Sequence, residues 1–159
     1  KGTLITTEEC LLHPSIQVRN EGYTKNDYEA IFKEYLGITN TIWLGEGVLG
    51  DDTHGHIDDL CRFVNSTTVV AVVEENSNHK NYKPLQDNLK RLKAASLEDG
   101  KPLNIVELPM PKPIVFEELE LPASYANFLI INGAVLVPTF NDSNDRIALN
   151  ILSECFPNR

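Results

Sequence analysis

Strand, long loop, hairpin and helix follow one another twice in this chain. The second run begins about 65 residues after the first when Val69 is laid on Val135. Such a period constrains the fold more than any single motif, because a repeated unit that cannot bury its own faces must stack on its neighbours. The first full unit has a short apolar strand at Thr41–Leu44 and a Gly- and Asp-rich loop from Gly45 to Gly55. Paired strands over His56–Val64 and Thr67–Glu74 follow, joined by a turn at Asn65-Ser66. A helix from Tyr82 to Ala95 then carries Leu85, Leu89, Leu92 and Ala95 on one stripe. The second unit has a strand at Leu103–Leu108, a Pro-rich connection from Pro109 to Pro122, and strands over Ser124–Ile131 and Ala134–Val137. Asn132-Gly133 between those strands signals a hairpin, since both turn residues must accept positive φ. A helix capped by Asp142 or Ser143 then carries Ile147, Ala148, Ile151, Leu152 and Cys155.

A partial copy comes first. Gly2–Thr7 reads as the second arm of a hairpin whose first arm is missing. Thr24 and Asp27 have capping-box spacing ahead of Tyr28, Ile31, Phe32, Tyr35 and Leu36 on one helix face, and Gly37 ends that helix. The expected architecture is α/β: about two and a half repeats in one domain over residues 1–159, with a repeat cut at each end; the alternative is an ordinary α+β domain whose regularity is coincidental.

Composition narrows the function classes. A length of 159 residues suits one domain, and 42% hydrophobic residues can build a core. The net charge of −9 argues against a nucleic-acid partner and weakly favours a cationic one. No apolar run approaches the roughly 20 residues of a membrane-spanning helix, so no membrane partner is expected. No signal-peptide pattern opens the chain, and three cysteines without CxxC spacing fit reduced thiols in the cytoplasm.

The chemistry-bearing segment is Gly50-Asp-Asp-Thr-His-Gly-His-Ile-Asp-Asp-Leu-Cys61, with two histidines and four carboxylates at a loop-to-strand junction. One reading is a zinc site on His54, His56 and Asp58, which matches the opening of an HxHxDH metal-binding run. Asp59, however, stands where that run needs a histidine. A second is a metal-free pair: on a strand His56 and Asp58 share a face, the imidazole shuttling protons and the carboxylate holding a guanidinium. A third is a solvated acidic loop. His13 and His79, in polar loops, are expected to be solvated.

Several segments together resemble agmatine deiminases and the Porphyromonas-type peptidylarginine deiminases. They are Leu4-Ile-Thr-Thr-Glu-Glu-Cys-Leu-Leu12, Trp43-Leu44, the Gly50–Asp58 run, Arg62-Phe63-Val64, Leu121-Pro-Ala-Ser-Tyr-Ala-Asn-Phe128, Asn132-Gly133, Val137-Pro138 and Phe156-Pro-Asn-Arg159. The resemblance implies a partial pentein-type fold, a five-bladed α/β propeller, of which this chain is the middle. It implies hydrolysis of a guanidinium to a urea and ammonia by a cysteine thiolate, with no cofactor. His56 matches the family's catalytic histidine and Asp58 its catalytic, guanidinium-binding aspartate. The nucleophile belongs to a Gly-rich His-Cys run beyond residue 159, and a Glu-Gly-Gly motif belongs before Lys1. The implied substrate is a small cationic guanidine, agmatine first and peptidyl-arginine second.

His54 stands where the family commonly has Asn or Asp, and Asp59 where it often has Asn. Asp52, with Asp51, is a candidate to hold agmatine's distal amine or merely to form a turn. Cys10, Cys61 and Cys155 are expected to be packing residues, so the segment alone should not turn over. Tyr125 and Trp43 are expected to pack, and Asn127 to hydrogen-bond within the ring. An isolated part-ring exposes strand edges and apolar helix faces, which favours assembly, including a homo-oligomer.

Overall fold

The computed structural model describes residues 2–159. β1 (Thr3–Thr7) runs into a short helix α1 (Glu8–Leu12). An irregular segment leads to α2 (Lys25–Leu36) and then β2 (Asn40–Leu44), which pairs parallel with β1. A 3₁₀ turn at Ile57–Asp59 precedes β3 (Cys61–Phe63) and β4 (Thr68–Val73), paired antiparallel. α3 (Tyr82–Ala94) crosses to β5 (Asn104–Pro109), which lies parallel to β4. Two small hairpins follow, β6 (Val115–Phe116) with β7 (Leu119–Glu120) and β8 (Leu129–Ile131) with β9 (Ala134–Leu136). α4 (Asn144–Cys155) ends the described elements.

Local signals act as physical chemistry requires. Thr24 Oγ1 accepts the Asp27 N–H at 3.4 Å while Asp27 Oδ2 accepts the Thr24 N–H at 2.8 Å, closing the capping box of α2. Gly37 ends that helix at φ +68°. Asp142 Oδ1, rather than the Ser143 hydroxyl, takes an orphan amide of α4, from Asn144 at 2.8 Å. The valine-rich β4 lies between two strands with α3 packed against it, and Val69 and Val70 are fully buried. Burying each contributes about 1.5–3 kcal/mol.

Three expectations change. His56–Leu60 is not strand: the backbone enters a 3₁₀ turn and β3 begins only at Cys61. Ser124–Phe128 is likewise irregular, held by side-chain hydrogen bonds rather than a ladder. The Pro-rich connection contains the β6–β7 hairpin, which turns on Glu117 and Glu118 at positive φ.

The apolar stripe of α2 exists but only Tyr28 is buried, leaving Tyr35 and Leu36 exposed. The sheets contain two, three, two and two strands, and among the described residues they do not close into a ring. No helix among those residues is long and apolar enough to cross a membrane.

Candidate active site

The loop Gly45–Gly55 leaves β2 and is fixed along its length by buried side chains. Asn88 of α3 accepts the Gly45 N–H at 2.7 Å and donates to the Glu46 carbonyl at 2.8 Å. Glu9 of α1 accepts the Gly47 N–H, and Asn81 accepts the Leu49 N–H at 2.7 Å. The Thr7 hydroxyl donates to the Gly55 carbonyl at 2.5 Å. A Cβ on Gly47 would lie 2.5 Å from Gly55 Cα, so the two ends of the loop touch backbone to backbone, which only glycine permits.

That scaffold presents His56. Asp51 takes the His56 N–H on one oxygen at 2.8 Å and the Thr53 N–H on the other at 2.9 Å, with the Thr53 hydroxyl also donating. Burial works against the charge of Asp51, but these hydrogen bonds outweigh it and hold the carboxyl below its ordinary range. Asp51 is thus the turn-former of the loop. Asp52 is exposed, and its carbonyl accepts from the Gln17 amide.

His56 and Asp58 do come together, but not by strand alternation. His56 precedes the 3₁₀ turn and Asp58 lies within it, which brings His56 Nδ1 to 3.9 Å from Asp58 Oδ1. Both side chains are partly exposed, at 39% and 43%, so a ligand can reach them. On the other edge of the imidazole, Arg19 Nη2 stands 3.5 Å from Nε2 and donates to the Thr53 carbonyl at 2.5 Å.

Asp59 points inward, 7% exposed, and accepts from the Asn127 amide at 3.1 Å. Burial first and the neighbouring Asp58 charge second raise its carboxyl to about 6. The Ser124 hydroxyl donates to the Asp59 carbonyl at 2.7 Å, so the second unit clamps the back of the first unit's site. Tyr125 is fully buried and donates to Asp145 at 2.7 Å. Trp43 is only partly buried, with its indole N–H on Glu29 at 2.8 Å.

The zinc reading does not find its ligands. His54 adopts φ +68°, turns its Nδ1 to within 3.3 Å of Glu9, and buries an Nε2 that has no partner among the described residues. Among those residues no three His, Cys, Asp or Glu side chains are arranged to hold a metal ion. His13 and His79 are not free in solvent as expected. His13 packs edge-on against His54, ring centroids 4.7 Å apart, and His79 is largely buried between Glu74 and Glu120. Polar neighbours in sequence concealed both, since His54 and Glu120, which cover them, lie 41 positions away.

None of the cysteines is poised as a thiolate. Burial pushes Cys61 up to about 12, raises Cys155, and raises Cys10 despite the offsetting Arg19 guanidinium. Sequence reasoning missed Glu9, Arg19, Asn81 and Asn88. For Asn88 a signal was present: it falls on the Leu85–Leu89–Leu92 stripe of α3, where a polar residue must have a buried partner.

Comparison with known proteins gives a consistent picture. The family model described as Porphyromonas-type peptidyl-arginine deiminase matches residues 1–159. An agmatine deiminase of Ectopseudomonas mendocina is 35% identical over 99% of this chain and 47% of its own length. A solved agmatine deiminase of Enterococcus faecalis superposes with TM-score 0.89 at 33% identity, covering 100% of this chain and 47% of that one. The C. jejuni agmatine deiminase solved with substrate bound gives TM-score 0.87 at 36% identity, covering 100% and 45%. The chain spans about half the length of the curated relatives it matches.

Proposed function

This chain belongs to the Porphyromonas-type peptidyl-arginine deiminase family, and from that premise we propose that the complete protein is a hydrolase that deiminates a guanidinium substrate. Agmatine is the first candidate, giving N-carbamoylputrescine and ammonia, because agmatine deiminases lead the named relatives. The observation that carries the reading is the His56–Asp58 pair, brought to 3.9 Å on a loop whose amides are fixed by Asp51, Glu9 and Asn81.

In this reading Asp58 grips a guanidinium, which stays charged at any physiological pH and offers paired N–H donors to a carboxylate. A cysteine thiolate from outside this segment forms a C–S bond to the guanidinium carbon. His56 gives a proton to the departing nitrogen, so that the C–N bond breaks and ammonia leaves. His56 then takes a proton from the water that attacks the same carbon, and the C–S bond breaks to release the urea and the thiolate. Asp52, exposed on the loop that leads to His56, is proposed to meet the distal amine of agmatine.

The same proposal treats residues 1–159 as the central part of one pentein domain, in which the units seen here continue into a five-bladed ring. The parallel crossovers β1–α2–β2 and β4–α3–β5, and the apolar side chains left exposed on α2 and β8–β9, support it. A cytoplasmic setting fits three cysteines that are all free. Assembly into a homo-oligomer fits the same exposed apolar surface.

Peptidyl-arginine is the second reading, favoured by Arg19. This guanidinium lies 3.5 Å from His56, has no carboxylate within ion-pair distance among the described residues, and would repel agmatine's ammonium. The test is release of ammonia by the full-length protein from agmatine and from an arginine peptide, compared with the Asp58→Asn variant. Turnover of one of them that Asp58→Asn abolishes is the expected result. Unchanged turnover in that variant contradicts the assignment.

A further inference from the structure

His79 lies in the turn before α3, its side chain 13% exposed between carboxylates from two distant parts of the chain. Its Nε2 is 3.0 Å from Glu120 Oε1 on β7, and its Nδ1 is 3.7 Å from Glu74 Oε2. The same Nδ1 accepts the Asn81 N–H at 3.2 Å. A backbone N–H can only donate, so Nδ1 carries no proton in this arrangement and the ring proton sits on Nε2, facing Glu120. The imidazole is therefore a neutral cross-link between the Asn81 turn and β7.

Both of its partners press on the root of the His56 loop. Asn81 is 3% exposed, and its side chain accepts the Leu49 N–H at 2.7 Å. Two residues further on stands Asp51, whose carboxylate takes the His56 N–H. From the other side the Glu120 carbonyl closes on Gly50 so tightly that a Cβ there would come within 2.1 Å of it. One imidazole thus ties together the two walls that hold Leu49 and Gly50.

We propose that His79, in its neutral Nε2–H form, is a positioning residue for His56, acting through Asn81 and Glu120 to fix the segment from Leu49 to His56. The inference rests on the reading of His56 as an active-site group, and it assigns part of that site's geometry to a residue outside it.

The experiment is amide hydrogen exchange on the full-length protein, with steady-state kinetics beside it. His79→Asn keeps an acceptor where Nδ1 stands; His79→Gln keeps a polar group near Nε2 but offers Asn81 no acceptor. His79→Gln is expected to speed exchange at Leu49 and His56 by about tenfold or more, with Val70 to Val72 unchanged. It is expected to lower kcat by about tenfold or more with little change in KM. His79→Asn restores most of both, and Asn81→Ala reproduces His79→Gln without adding to it in the double variant.

The proposal is overturned if Leu49 and His56 exchange at wild-type rates in His79→Gln. It is equally overturned if exchange rises throughout the protein in step with a lower unfolding midpoint, or if His79→Asn is as impaired as His79→Gln. Exchange is read without turnover, so a protein that shows the expected exchange pattern but releases no ammonia would retain the brace and lose the deiminase reading.

Discussion

Hairpin β3–β4 and hairpin β8–β9 occupy the same place in successive units, yet the first is buried and the second is not. β4 has β5 beside it and α3 against it, and Val69 through Val72 are almost wholly covered. Among the described residues β9 pairs only with β8, leaving Leu129, Ile131 and Leu136 at 58%, 40% and 53% exposure. The segments leading into them differ in chemistry as well. Before β3 come Asp51, His56, Asp58 and Asp59, three of them within reach of solvent. Before β8 come Ser124, Tyr125 and Asn127, two of which bond back to Asp59. A repeated unit can keep its layout while one copy carries reactive groups and the next serves as their support.

Substitutions in matched positions can break that comparison. The largest contrast is expected in turnover by the full-length protein. His56→Ala should lower kcat by about 10²–10⁴-fold, the scale of positioned acid–base catalysis, while Asn127→Ala should lower it by less than about tenfold. Equal losses would mean that the second unit takes part in the chemistry.

Stability should divide the units next. In residues 1–159 by themselves, Leu108→Ala on β5, fully buried beside β4, is expected to cost about 2–5 kcal/mol in denaturant unfolding, against no more than about 0.5 kcal/mol for Leu136→Ala on β9. A large cost at Leu136 in the full-length protein would show that another part of the chain covers that strand.

The glycines sharpen the same contrast. Gly50 and Gly133 both have positive φ, so either substitution by Ala should cost about 1–2 kcal/mol. Only Gly50 meets a backbone oxygen, and Gly50→Ala should be the more damaging of the two in thermal unfolding.

A pH slope separates the units as well. The Asp59 carboxyl sits at about 6 in the folded chain, above its ordinary 3.8, so the folded state binds that proton more tightly. The resulting stabilisation is complete below about pH 4 and is lost as pH rises through about 6. Asp59→Asn cannot ionise and should flatten that part of the stability profile. An unchanged slope would assign it to another group.

What could be read in advance was local. The Thr24–Asp27 box, Gly37 and the valines of β4 each act within a few residues and form as the sequence indicates; the Asn132-Gly133 turn also joins its hairpin, but with only Gly133 of the two at positive φ. The His56–Leu60 stretch misled because it runs directly into β3, whereas its backbone turns at Ile57–Asp59 and the His56 amide is taken by Asp51 rather than by a neighbouring strand. The Glu117-Glu118 turn was hidden because neither residue favours positive φ. His56 and Asp58 stood out by residue type and spacing and then by resemblance, whereas Glu9, Arg19, Asn81 and Asn88 reach the site from 32 to 43 positions away in the bonds they make. No pattern over neighbouring residues encodes such contacts.

The most direct measurement is a crystal structure of the full-length protein soaked with agmatine or guanidinium. A flat guanidinium bound by the Asp58 carboxylate, with the His56 ring at hydrogen-bond distance from one of its nitrogens, is the outcome expected here. A guanidinium bound elsewhere with those two side chains turned apart, or a metal ion held between them, would contradict it.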